Sequence, residues 1–173
     1  PNLRAAGVDY DVRVMNPYCS YQDFDFTIPV GSNGDTYDRF CVRQEEMWQS
    51  LSIIKQAVKN LPEGKHHADV PEFYLPPKDD VYNSMEGLIW HFKIVMGEIN
   101  VPKGQVYHSV EGGNGELGFY LVSDGGRQPY RLHMRRPCFI YYQAYPEMIK
   151  GAMLSDAILT MSSMNVIAGE LDA

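Results

Sequence analysis

An apolar stripe at helical spacing sets the tightest limit on what this chain can fold into. Phe40, Met47, Leu51, Ile54, Val58 and Leu61 fall on one face of a helix that would run from Asp35 to Leu61. Asp35 is placed to cap it, and Asp38 sits in the first turn, where a carboxylate meets the positive end of the helix dipole. Pro62 and Gly64 end the pattern. About 25 residues at ~1.5 Å each make a rod of roughly 40 Å. That is long for a chain of 173 residues and predicts a bundle helix, covered by other helices.

A second helix is predicted from about Asn83 to Met96. Met85, Leu88, Ile89, Phe92, Val95 and Met96 share one face, and Gly97 ends it. Methionines and Phe at this spacing point to core rather than to a cofactor box. Between the two helices, residues 62–80 carry Pro62, Pro71, Pro76 and Pro77 and read as loop. The adjacent His66 and His67 lie there. A solvated pair outweighs a metal site.

From Gln105 to Arg136 the pattern changes to strands. Val106–Val110, Leu117–Val122 and Tyr130–Arg135 alternate, separated by Gly112-Gly113-Asn114-Gly115 and Asp124-Gly125-Gly126. This predicts a three-stranded antiparallel meander. A shorter helix follows from Glu147 to Ser162, then an extended tail from Asn165 to Leu171. Residues 1–33, rich in Tyr, Asp, Pro and Gly, predict brief strands or extended loops. The fold class is α+β: two long bundle-type helices plus the meander. All 173 residues read as one domain, with a helical region about 34–98, the meander about 105–136, and a C-terminal helix and tail about 146–173.

Composition narrows the function. A hydrophobic share of 45% suffices for one core. A net charge of -7 argues against a nucleic-acid partner. No apolar run reaches the ~18–20 residues that span a bilayer, and no signal peptide opens the sequence. Its first residue is Pro1 rather than Met, which leads us to expect a piece of a longer protein. Cys19, Cys41 and Cys138 are odd in number and widely spaced. They read as reduced thiols in a reducing cytoplasm, not as a disulfide framework or zinc site.

Three constellations invite chemistry. The Gly112–Gly115 turn lacks the strand-to-helix context and the Lys-Ser/Thr pair of a phosphate loop, so it reads as a hairpin turn. Arg131, His133, Arg135 and Arg136 form a locally basic stretch. It is either the polar face of a strand or a place for an anion or an acidic partner. Asp38, Arg39, Arg43, Glu45 and Glu46 lie at helical spacing, as a solvated face or as a buried ion network lining a polar path. No Ser/His/Asp or Cys/His triad can be assigned.

Longer strings carry a resemblance. Gly34-Asp35-x-Tyr37-Asp38-Arg39-x-x-x-Arg43-x-x-Glu46-Met47-x-x-Ser50 resembles the signature of the large quinone-site subunit of respiratory complex I. So do Ser84-Met85-Glu86-x-Leu88-Ile89-x-His91-Phe92-Lys93, Gly115-Glu116-Leu117-Gly118-x-Tyr120-Leu121-Val122-Ser123-Asp124-Gly125 and Pro129-Tyr130-Arg131. The closing Gly169-Glu170-Leu171-Asp172 is similar too. The matches run in order along nearly all 173 residues, which look like the second half of that subunit.

The resemblance implies a relative of the nickel–iron hydrogenase large subunit that has lost its metal. It implies NADH:quinone oxidoreductase activity in a proton-translocating respiratory assembly, peripheral on the cytoplasmic side of the inner (plasma) membrane. Quinone, the substrate, is reduced between this subunit and a smaller one holding the terminal iron–sulfur cluster, while NADH reacts at a distant FMN subunit. No cofactor is expected on this chain itself. The quinone-headgroup His and Tyr belong to the family's first half, so no catalytic residue is expected here.

The segment lining the quinone cavity carries over to Asn165, Val166, Ile167, Glu170 and Asp172, and the hairpin turn at Asn114 approaches it. Arg39, Arg43, Glu46, Arg131 and Arg135 are the candidate polar network. This sequence departs from the family at Asn114, usually Arg or Lys, at Asn165, usually Asp, and at Ala173, usually Arg. Losing charge near a redox site changes local proton affinity. Expected partners are the other complex I subunits, especially the small iron–sulfur subunit, and the first half of the same subunit. The alternative is a scaffold that docks other subunits of the same complex, without a direct role at quinone. A chain of this extent is also expected to self-associate, or to be marginally stable, through its apolar stripes.

Overall fold

The structure, a computed structural model, describes residues 1–65, 68, 70, 73–97 and 101–172. The histidine pair His66–His67 and the terminal Ala173 lie outside the described residues. The chain forms two compact units, the first of Pro1–Leu61, His108–Phe119 and Met134–Ala173, the second of Pro62–Tyr107 and Tyr120–His133.

In the first unit the long helix forms as its spacing predicts. α3 runs Thr36–Lys59, and the Asp35 carboxylate accepts the Asp38 N–H at 2.7 Å. Asp38 turns back to accept N–H groups of Ser32, Asn33 and Gly34. These donors, Asn33 first, hold its carboxyl below the usual carboxylate range. Gly31 is required beside them, because a Cβ there would lie 2.6 Å from the Ala5 carbonyl oxygen.

Residues 1–33 differ from expectation. They hold α1 (Asn2–Ala5), α2 (Val12–Met15) and a 3-10 turn at Tyr21–Asp23, and no strand. Asp11 caps α2 by accepting the Arg13 N–H, a local signal that outweighs the alternation of Val12 and Val14. The following segment lies extended and is held by α3 side chains. Gln56 both accepts from and donates to the Asp25 backbone, and Gln49 accepts from the Thr27 N–H.

The C-terminal third also departs from prediction. Pro137 ends a strand and opens α6 (Pro137–Tyr141), which the sequence pattern did not reveal. The predicted helix from Glu147 is two, α7 (Tyr145–Met148) and α8 (Leu154–Met164). Gly151, at φ +75°, breaks the path between them. The predicted extended tail instead curls into α9 (Gly169–Asp172). The interior of this unit is small. Ala5, Val12, Val42, Cys138 and Met164 are its buried apolar residues, alongside buried Arg4, Asp11, Arg39, Ser109, Thr160 and Ser163.

In the second unit the helix predicted from Asn83 to Met96 forms as α5 (Met85–Val95), and a short helix the sequence pattern did not reveal, α4 (Lys78–Asn83), precedes it at the end of the predicted loop. Ser84 is extended between them, and its hydroxyl accepts the Gly87 N–H at 3.0 Å. The helices pack so closely that a Cβ on Gly87 would lie 2.5 Å from the Asp80 carbonyl oxygen. The meander forms as predicted, β1 (Gly104–Gly112), β2 (Gly115–Ser123) and β3 (Arg131–Arg135), in the order β1-β2-β3, so the chain is α+β. Its strands contribute residues to both units.

Candidate functional site

The first unit gathers most of the polar residues that the sequence singles out. α3 supplies two arginines, four residues apart and so on one helix face. Arg39, only 3% exposed, donates to the Ser163 hydroxyl, the Gly34 carbonyl and the Thr36 hydroxyl. Arg43 donates from both terminal nitrogens to the Ser163 carbonyl, each at 3.1 Å. That carbonyl belongs to the last turn of α8, where carbonyls have no helical partner, so the Arg43 guanidinium caps the end of that helix. Just beyond, Asn165 adopts the left-handed conformation (φ 57°, ψ 53°) that ends α8. Asn is among the few residues that tolerate it.

Asn165 then reaches the hairpin turn. Its amide donates to the Asn114 side-chain oxygen at 2.6 Å. Asn114 and Asn165, the two positions where the resemblance implies charged residues, are thus the two partners of one contact. A neutral amide pair stands where the resemblance implies opposite charges. Beside it, the Tyr141 hydroxyl donates to the Asn165 carbonyl at 3.0 Å and lies 2.9 Å from the Cys138 sulfur. Glu170 accepts the Cys138 N–H at 2.9 Å, which fastens α9 to α6. Burial pushes the Cys138 thiol up and the Tyr141 phenol well above its ordinary value. Both therefore keep their protons near neutral pH and act as hydrogen-bonding groups.

A groove of about 570 Å³ adjoins this cluster, lined by Arg43, Glu46, Met47, Ser50, Leu51, Ile54, Gly113 and Asn165. Along α3 its lining passes from charged residues (Arg43, Glu46) to apolar ones (Met47, Leu51, Ile54). Arg43 retains further N–H donors after its two bonds.

Sequence reasoning missed a second cluster in this unit. Arg4, 4% exposed, ion-pairs with Asp11 at 3.1 Å, Glu111 at 3.0 Å and Glu46 at 2.6 Å. Arg13 adds a second cation on Asp11 at 2.7 Å. Burial alone would raise the Asp11 pKa. The hydrogen bonds and charge of Arg13, with the charge of Arg4, outweigh it and hold the carboxyl below the usual range. Glu111 lies 107 positions from Arg4, so spacing offered no signal for that pair. The one clue was a charged residue in the apolar stretch Leu3-Arg4-Ala5-Ala6.

Of the named network, Glu46 pairs with Arg4 rather than with Arg43. Arg135 donates to the Glu116 carbonyl at 2.6 Å. Arg131 is exposed on β3, in the second unit. Of the closing segment, Val166 and Glu170 are half-buried, and Ile167 and Asp172 are exposed. Among the described residues, no group of three or more His, Cys, Asp or Glu is placed to hold a metal. No described helix is long and apolar enough to cross a membrane.

Comparison with known proteins gives one consistent result. The family described as respiratory-chain NADH dehydrogenase, 49 kDa subunit, matches residues 1–173. The D-type subunit (number 2) of the NADH-quinone oxidoreductase of Cytophaga hutchinsonii is 76% identical over all of this chain and 45% of its own length. The D-type subunit of Flavobacterium johnsoniae is 74% identical over 100% of this chain and 42% of its own length. That of Leptospira biflexa is 60% identical over 99% and 42%. The chain therefore spans less than half the length of these curated relatives.

Proposed function

Because the chain belongs to the 49 kDa subunit family of respiratory-chain NADH dehydrogenase, we propose that it works within an NADH:quinone oxidoreductase and helps wall the cavity where quinone is reduced. In this reading the electrons come from the terminal iron–sulfur cluster of a neighbouring small subunit, supplied by a flavin subunit that oxidises NADH. The chain binds neither group. It lies peripherally, on the cytoplasmic side of the membrane.

One observation carries the reading. The groove beside Asn165 is charged where Arg43 and Glu46 line it and apolar along Met47, Leu51 and Ile54. A quinone has the same division, a ring with two carbonyl acceptors and an apolar tail. Pockets for such ligands are mostly apolar, with a few convergent polar groups that fix orientation. Spare N–H donors on Arg43 suit a carbonyl acceptor, and more so the oxygen on which charge grows during reduction. Asn165 is held by Asn114 and Tyr141, so its edge of the groove is rigid before any ligand arrives. Glu170 ties the closing segment to the same cluster.

A second reading, a docking scaffold without contact to quinone, is favoured by the apolar faces of α3 and α5, which are largely exposed. Glu170→Ala and Asp172→Ala in the assembled enzyme separate the two. Quinone turnover lost with assembly intact supports the cavity. Loss of assembly, with normal turnover in whatever complex remains, supports the scaffold.

A further inference from the structure

The contacts at the Asn165 edge of the groove close into a ring, and Cys138 is the member that closes it. The Asn165 amide donates to the Asn114 side-chain oxygen at 2.6 Å. The Asn114 amide donates in turn to the Cys138 sulfur at 3.6 Å. That sulfur lies 2.9 Å from the Tyr141 hydroxyl, which lies 3.0 Å from the Asn165 carbonyl. Asn165 and Gly113, the neighbour of Asn114, line the groove. Cys138 is 0% exposed and is not among the lining residues.

The number of hydrogens fixes the sense of the ring. A carbonyl can only accept, so the single O–H of Tyr141 goes to Asn165. The 2.9 Å contact then needs the thiol as donor and the phenol oxygen as acceptor. The sulfur, having given its S–H, accepts from Asn114. Each group therefore donates to the next, from Asn165 to Asn114, to Cys138, to Tyr141 and back to Asn165. Hydrogen bonds arranged head to tail polarise one another, so the ring holds more firmly than its members taken singly. It joins three separate segments, the hairpin turn, α6 and the end of α8, where Asn165 is held at φ 57°. Position 138 needs a group that both donates and accepts, which a thiol can do and a methyl cannot.

We infer that Cys138 and Tyr141 are positioning residues for the groove, which through this ring hold Asn165 and the Gly113–Asn114 turn at its edge without touching the ligand. The role rests on the reading of the groove as a quinone site. The ring itself does not.

The test uses the assembled enzyme. Cys138→Ala and Tyr141→Phe each open the ring. Each should raise the KM for quinone about fivefold, the effect of losing one ordinary hydrogen bond, with kcat nearly unchanged. The double variant should raise it no further than either single one, because the ring is already open. Cys138→Ser, whose hydroxyl also donates and accepts, should recover most of the affinity. A thiol that served only to fill space would lower the amount of active enzyme and leave KM alone. The infrared S–H band, taken as the difference between wild type and Cys138→Ala, reports the ring without quinone. In Tyr141→Phe, with the double variant as baseline, it should move to the position of an unbonded thiol. A band that stays in place puts the S–H on Glu170, whose carboxylate also faces the thiol, and overturns the ring. Leu51→Ala, in the groove lining, reads the quinone assignment separately. A KM that responds to Leu51→Ala but to neither ring variant overturns the positioning role alone. A KM indifferent to all three overturns the quinone reading of the groove, and the positioning role with it.

Discussion

The two halves of α3 obey different rules. In the first half, Arg39 and Val42 are 3% and 4% exposed, and Arg39 is bonded through three of its nitrogens. Towards the other end, Val58 and the adjoining Leu61 are 74% and 78% exposed. One continuous helix is therefore anchored at its charged end and bare at its apolar end. Along α3, burial coincides with the ionic and hydrogen-bonded contacts to α1 and α8, not with the apolar stripe. An exposed apolar stripe of this length marks a surface that another element covers in an assembly.

Substitution at the anchored end should cost most. Arg4→Ala leaves Asp11, Glu46 and Glu111 buried without their shared cation. Breaking a buried charge cluster by removing one partner costs about 3–5 kcal/mol. Val58→Ala, on the bare end, should cost under about 0.5 kcal/mol. Urea unfolding of both variants checks this, and equal midpoints would erase the contrast.

Acid should act on the same end. The Asp11 pKa is lower in the folded protein than in the unfolded chain. The folded state therefore binds fewer protons, and its stabilising contribution is present above about pH 4. It is lost as pH falls from there through the folded-state pKa. Asp11→Asn should reduce the decline in stability below about pH 4. An acid limb as steep as the wild type's would show that other carboxylates dominate it.

The bare end should govern association with little effect on stability. Two copies pairing through the stripe give a mass above one chain at micromolar concentration. Ile54→Asp with Val58→Asp should return the monomer mass in light scattering, with the melting temperature nearly unchanged. Association that survives both substitutions would place the contact elsewhere.

These regions differ in how far the sequence disclosed them. The α3 helix and the meander were legible because periodicity and glycine turns are local signals. The short α4 was not legible, because Lys78–Asn83 carries no apolar rhythm and follows the prolines Pro76 and Pro77. The α9 turn was not readable, since Glu170 is caught by the Cys138 N–H, 32 positions away. For the site, the family strings led to Asn114, Asn165 and Glu170. That Asn114 and Asn165 meet in one amide pair became visible only in three dimensions. The Arg4 cluster was invisible for the same reason, being assembled from α1, α3 and the end of β1. Which apolar faces are covered could not be read at all, because a stripe looks the same whether its neighbour is present or absent.

Everything proposed about function turns on whether the groove along α3, with its charged residues near Asn165, receives quinone. A photoactivatable quinone, irradiated in the assembled enzyme and followed by peptide mapping, answers that without relying on turnover. Label is expected on the peptide spanning Met47–Ile54 or on the one carrying Asn165, displaced by excess quinone. Displaceable label confined to other subunits, with both of these peptides clean, would contradict the quinone assignment.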